Sequence, residues 1–278
     1  MEKRRRVASG SQAAGISKVV IGQLDPHAVV AGKGRAYLVA HGVEVITGCL
    51  EDQVGQLNPH YDCFYTQQRP WVTLKTAMTL DGKINDESST RTMISNHESY
   101  VDSQRLRTQY HALLIGERTL EIDDPQLTVR LTAMAHPPVR LVLLNTSAVA
   151  QRKQLLTDTA ETWLLCRHAS ATDAQLNELA HVHVSVADWT PAKVRMLCVE
   201  QGWQSLLVEG GAHIQAQFIE EGLVDEWISY MSPTLLGGTA LPAAFSHQAT
   251  VHQLQFDALQ LTRLGADIRI RALRKVDA

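Results

Sequence analysis

Ser205-Leu206-Leu207-Val208-Glu209-Gly210-Gly211 joins a short apolar run directly to a pair of glycines. Four apolar-leaning residues with no polar alternation predict a strand at 205–208 buried on both faces. The pattern from 211 to 221, closed by Gly222, predicts a helix. Glycines at such a handover let backbone approach a ligand closely. The helix start offers unpaired N–H groups and a positive dipole end, which suit phosphate. The full Gly-x-Gly-x-x-Gly fingerprint is absent, and two glycines would also serve a tight strand–helix turn with no ligand at all.

Working outward, the same alternation recurs. Strands are predicted at 71–78, 111–115, 140–144, 162–166, 182–186 and 226–232. Ser95-x-x-Glu98 has the form of a capping box and predicts a helix to about residue 109. A helical turn is expected at 118–122. Thr190-Pro191 predicts an N-cap with Pro at the first helical position, opening a helix to 201. Strands alternating with helices predict a largely parallel, three-layered α/β sheet. No helix separates 226–232 from a last strand at 261–270, so these two are expected to form an antiparallel C-terminal edge pair. Upstream, residues 1–14 are expected to be a disordered tail. Residues 15–58 predict a small α/β unit, with strands at 17–22 and 43–46, a helix opened by Gly32-Lys33-Gly34, and a short helix at 51–57. Residues 59–69 are expected to be a linker, and 70–278 the main domain.

Composition narrows the function classes. The 278 residues are 45% apolar and 20% charged with net charge −3, ordinary for a globular chain and without the basic stripe of a nucleic-acid binder. No apolar run approaches the ~20 residues of a membrane helix. The 4 cysteines, Cys49, Cys63, Cys166 and Cys198, lack Cys-x-x-Cys spacing, so neither a metal site nor a bridge framework is implied. A cytoplasmic protein with no nucleic-acid or membrane partner is expected. None of the 12 histidines pairs with a nearby Cys or Glu. The serine-hydrolase elbow and the P-loop are both missing.

The candidate chemistry lies elsewhere. Arg107 and Arg130 flank an Asp81-Gly82 turn and an Asp123-Asp124-Pro125 loop. A guanidinium fork suits a phosphate monoester, although any one arginine is more often a surface residue. Glu209, at a strand end beside glycines, is placed to orient a polar substrate or accept a proton, or to cap its own turn. Asp123-Asp124 before a proline are expected to bond local N–H groups rather than a metal. The polar loop at 88–92, with Arg91, is placed to touch ligand.

These residues carry a resemblance. Lys75-Thr-Ala-Met-Thr-Leu-Asp81-Gly82-Lys83, Leu106-Arg107, Asp123-Asp124-Pro125-x-Leu127-Thr-Val-Arg130, Val208-Glu209-Gly210-Gly211 and Gly222-Leu-Val-Asp225-Glu resemble the reductase half of the bifunctional riboflavin-biosynthesis deaminase/reductase, over about residues 69–271. The resemblance implies a dihydrofolate-reductase-like fold, NADPH as hydride donor, and a homodimer. The implied substrate is 5-amino-6-(5-phosphoribosylamino)uracil. By motif position, Arg107, Leu127 and Arg130 would hold that substrate, the arginines at its phosphate. Lys75 and Glu209 would act at its sugar and base. Ala77, Thr119, Asp123 and the segment Gly211, Ala212, His213, Ile214, Gln215 would hold NADPH. Two positions depart from the family. Met93 stands where an aromatic is usual, and Asn145 where an Asp is frequent; both are placed with the cofactor, and Arg91 with the substrate. Residues 19–58 resemble the last part of the family's zinc deaminase domain. Neither His-Ala-Glu nor a Pro-Cys with a partner cysteine occurs, so no deamination is expected. The rivals are a reductase of another heterocycle on the same fold, and a non-catalytic nucleotide-binding remnant.

Overall fold

A computed structural model describes residues 2–86, 90, 92–244 and 254–275, apart from the side chains of residues 2–6 and 258. The chain divides into two compact units, Met1–Arg69 and Pro70–Ala278.

In the first unit, helix α1 (Glu2–Ala13) precedes β1 (Lys18–Ile21), α2 (Lys33–Ala40), β2 (Glu44–Thr47), α3 (Glu51–Gly55) and α4 (Pro59–Gln67). β1 and β2 pair in parallel. Two expectations are corrected here. Residues 2–13, expected to be part of a tail, form α1, whose Glu, Lys, Arg, Gln and Ala favour a helix although Ser9, Gly10 and Ser11 do not. Its Ala8 packs with Leu38 and Val43, a tertiary contact that no local periodicity announces. Residues 59–69 are not a linker either. Pro59 opens α4 at its first position. Tyr61 then donates to Asp25 Oδ1 at 2.8 Å, and Gln23 Nε2 donates to Asp62 at 3.0 Å.

The second unit carries β3 (Trp71–Thr79), β4 (Lys83–Asn85), α5 (His97–Arg107), β5 (Ala112–Gly116), α6 (Glu117–Asp123), β6 (Val139–Leu144), β7 (Thr162–Cys166), α7 (Asp173–Asn177), β8 (Val182–Val186), α8 (Pro191–Glu200), β9 (Ser205–Val208), α9 (Ala212–Glu220), β10 (Glu226–Ser232), β11 (Leu241–Pro242), β12 (Phe256–Leu264) and β13 (Asp267–Arg274). Nine strands form one sheet in the order β12-β13-β10-β3-β9-β5-β6-β7-β8, and β11 pairs with β4 beside it. From β10 to β8 every pairing is parallel. The central strands bury both faces. Leu113, Ile115 and Leu207 pack with Leu106 and Leu120 on one side. Leu114, Leu206 and Val208 pack with Val194, Leu197 and Phe218 on the other. Strand alternation thus feeds two cores, which is why these segments show continuous apolar runs.

The antiparallel edge is real but differently composed. Residues 261–270 are not one strand: Gly265, at φ +61°, turns the chain between β12 and β13. The edge pair is this hairpin, and β10 lies inside it, parallel to β3 and antiparallel to β13. Side chains alternate smoothly on both sides of the turn, so the break rests on one glycine's access to left-handed backbone. The cap of α5 is corrected by one residue. Asn96, not Ser95, accepts from Ser99 N at 2.9 Å. Asn96 also donates to Leu264 O at 2.7 Å, and its N–H reaches Asp267 at 2.8 Å. That exchange fastens the helix start to the hairpin. At the other end of the sheet, fully buried Glu226 accepts from Thr73 Oγ1 at 2.8 Å and Trp71 Nε1 at 3.3 Å, and is ion-paired with Arg271.

Candidate active site

Parallel strands place their C-terminal ends along one rim, and a cleft of about 440 Å³ opens there. That volume is within the range of ligand pockets, and the rim is where open α/β sheets bind ligands. All the residues expected at the cofactor line it: Ala77, Met93, Thr119, Asp123, Asn145, Gly211, Ala212, His213, Ile214 and Gln215. So do Lys75 and Glu209. Arg107, Leu127 and Arg130 do not line it, and Arg91 lies outside the described residues.

Lys75 and Ala77 are two apart on β3 and, with Trp71, are its partly accessible positions among buried neighbours. The Lys75 ammonium lies 5.5 Å from the centroid of the Tyr230 ring, within cation–π range. Gln215, in the first turn of α9, donates to Lys75 O at 3.3 Å. Helix and strand are thereby tied at this end of the cleft.

Glu209 follows β9, and its side chain is only 6% exposed. Arg107, at the end of α5, grips it with a fork: Nε to Oε1 at 2.9 Å and Nη2 to Oε2 at 2.6 Å. Arg107 Nη1 donates to Thr128 O at 3.0 Å. Burial works hardest on the Arg107 guanidinium and tends to lower its pKa; the charge and hydrogen bonds of Glu209 outweigh it, so the net shift is upward. This revises the expectation for Arg107. Three of its five N–H groups are committed to protein, so it first fixes Glu209, and two N–H groups remain beyond those bonds. Arg130 is exposed, with Nη1 at 3.4 Å from Tyr100 Oη. The Leu127 side chain is 3% exposed and sits in the core at φ +54°. A ligand contact there falls to backbone.

The glycines earn their place by geometry. A Cβ on Gly210 would lie 2.7 Å from Ile115 Cα and 2.8 Å from Gly116 N, which are backbone and cannot yield. Gly211 caps α9 at φ +44° with no side-chain cap bond. The first N–H groups of α9 therefore need partners from outside the helix. After β3, Asp81 accepts from Gly237 N at 2.7 Å and Leu236 N at 3.2 Å, and from the Thr79 hydroxyl. The Thr79 hydrogen bond and then the Gly237 N–H hold its carboxyl down at about 2. Asp124 Oδ1 accepts from Gln154 N at 2.9 Å, so this carboxylate bonds a protein N–H as expected, but one distant in sequence rather than in its own turn.

Sequence reasoning missed Glu117, Arg118, Arg167 and Trp189, all of which line the cleft. A signal existed for Arg167: it is the residue immediately after a predicted parallel strand. Burial pushes the neighbouring Cys166 thiol, and that of Cys198, up to about 12, so neither is a nucleophile at neutral pH. Among the described residues, no three His, Cys, Asp or Glu side chains gather as a metal site would. No helix among them is long and apolar enough to cross a membrane.

Residues 70–270 match the model of the RibD C-terminal domain. The riboflavin biosynthesis protein RibD of Bacillus amyloliquefaciens is 34% identical, over 94% of this chain and 72% of the relative. The structure of Acinetobacter baumannii RibD superposes with a TM-score of 0.86 at 29% identity, covering 97% of this chain and 76% of that one. A Thermotoga maritima diaminohydroxyphosphoribosylaminopyrimidine deaminase/5-amino-6-(5-phosphoribosylamino)uracil reductase does so with a TM-score of 0.79 at 26% identity, covering 96% of this chain and 74% of that one. With a family model spanning nearly all of the unit that holds the cleft, the chain belongs to the RibD family.

Proposed function

We propose that this chain reduces 5-amino-6-(5-phosphoribosylamino)uracil to its ribityl counterpart with NADPH, and that reduction is its only reaction. The observation that carries the proposal is one cleft in which an ammonium, a fixed carboxylate and an uncapped helix start converge. The sequence holds no His-Ala-Glu and no Pro-Cys pair, so the proposal assigns no deamination to it.

The residues present fit the cofactor. The N–H groups of Ala212, His213 and Ile214 suit a pyrophosphate. The bare backbone at Gly211, on the cleft wall, admits close approach. When bound, NADPH supplies a hydride from the nicotinamide ring. Every other requirement falls to the chain. Lys75 holds the ribosyl oxygen and draws electron density from C1′ as the sugar opens. Glu209 accepts hydrogen bonds from the amino groups of the pyrimidine and sets its plane. Arg107 keeps Glu209 ionised and in one rotamer, and turns its remaining N–H groups, with Arg130, toward the 5′-phosphate. In the net reaction the bond from C1′ to the ring oxygen breaks, C1′ gains the hydride, and that oxygen gains a proton to become a hydroxyl of the open-chain ribityl amine. Orientation and exclusion of water supply most of the acceleration in such a transfer.

The test is isotopic. With NADPH deuterated at the transferable position, the product must carry one deuterium at C1′ of the ribityl chain. Consumption of NADPH with no label in the product would end the proposal.

A further inference from the structure

The cleft continues past the reacting end. At ~4.8 Å per strand it runs about 14 Å from β9 to β7, room enough for the adenosine half of a dinucleotide. That far end holds residues to which the proposed reaction gives no part. We propose that Arg167 reads the 2′-phosphate that distinguishes NADPH from NADH, with Asn145 as its neutral neighbour and Trp189 as the wall for the adenine. The inference rests on the cofactor proposed above.

Arg167 directly follows β7, and Asn145 directly follows β6. The two strand ends are laced together: Arg167 N donates to Leu144 O at 2.9 Å, and His168 N to Asn145 O at 2.8 Å. The side chains therefore sit side by side on the cleft rim, and both line it. In open α/β sheets an acidic residue at such a strand end bonds the ribose 2′-hydroxyl and favours NAD, whereas an arginine nearby accommodates the 2′-phosphate. Here the strand-end residue is an amide. The acid in reach, Glu117, is turned onto that amide: its two oxygens accept from Asn145 N and, at 3.0 Å, from Asn145 Nδ2. Arg167 is exposed, ready for a dianion, and Arg118 adds a second guanidinium to the same cleft. Trp189 donates its indole N–H to Ser185 O at 3.1 Å, so its polar edge is satisfied and its apolar surface faces the cleft.

Calorimetric titration of the full chain with NADPH, NADH, 2′,5′-ADP and 5′-AMP tests this without turnover. Wild type is expected to bind each 2′-phosphorylated ligand at least about tenfold tighter than its partner. Arg167→Ala should weaken NADPH and 2′,5′-ADP about tenfold and leave NADH and 5′-AMP unchanged. Arg167→Lys should recover part of the loss. Trp189→Leu should weaken all four ligands by a common factor. If Arg167→Ala weakens phosphorylated and unphosphorylated ligands alike, or neither, the inference is overturned. Equal wild-type affinity for NADPH and NADH overturns it alone and leaves the reductase reading standing. A wild-type chain that binds neither dinucleotide overturns both.

Discussion

The two ends of the cleft are built on opposite principles. At the β3–β9 end, Lys75 and Glu209 are held by buried partners, and the Glu209–Arg107 pair has side chains only 6% and 12% exposed. At the β7 end, Arg167 stands in solvent, its backbone N–H bonded to the end of β6. A buried charge pair is worth little as net stability, yet breaking it is expensive, because the survivor keeps its desolvation. An exposed arginine adds little to the fold and can be spent on recognition. The end proposed for chemistry is thus rigid and coupled to folding. The end proposed for cofactor choice is open to substitution at no structural cost.

The sharpest way to break this contrast is to remove Arg107. Arg107→Met leaves the Glu209 carboxylate buried without its guanidinium, and should destabilise the chain by about 3–5 kcal/mol in urea unfolding. The matching change at the other end, Arg167→Met, should fall within about 0.5 kcal/mol of wild type. Equal effects would erase the distinction. Gly210→Ala comes next. Its Cβ meets Ile115 and Gly116 backbone, so NADPH affinity and stability should fall together, by about 1–3 kcal/mol in melting or titration. Lys75→Met should separate catalysis from folding: kcat drops about 100-fold while NADPH Kd and the melting temperature stay near wild type. A melting temperature that fell with kcat would make Lys75 a packing residue.

The smallest effect concerns pH. The Asp81 carboxyl is held at about 2 against an ordinary 3.8. Its folded pKa is depressed, so its contribution is complete above the ordinary value and is lost as pH falls from about 3.8 through about 2. Asp81→Asn should therefore melt below wild type at pH 5, and the gap should close as pH drops through that window. A gap independent of pH would mean that the carboxylate charge plays no part in pinning Leu236 and Gly237.

The sheet was legible because its central strands are buried on both faces and bounded by glycines, prolines and caps. The β12–β13 turn was not, since Gly265 interrupts a segment whose side chains alternate on either side. α1 was missed because its one described core contact, Ala8 with Leu38 and Val43, is tertiary. The family resemblance grouped Lys75, Glu209 and the residues expected at a cofactor, and the structure brings these to one cleft. The Arg107–Glu209 pair was not legible, because the two are 102 residues apart and only the meeting of α5 with β9 joins them. Arg107 therefore looked like a free phosphate fork rather than the support of a carboxylate. Arg167 and Trp189 went unnoticed because a residue at the end of a parallel strand has no motif of its own; its meaning comes from the rim that the sheet makes.

The central claim is that the coupled end performs the reduction. It is tested most directly by following NADPH through its near-ultraviolet absorbance while the purified chain receives phosphoribosylaminouracil made by a separate deaminase. Sustained oxidation that falls about 100-fold in Lys75→Met, with NADPH binding retained, is the predicted result. NADPH bound by the wild-type chain but never consumed would contradict the account.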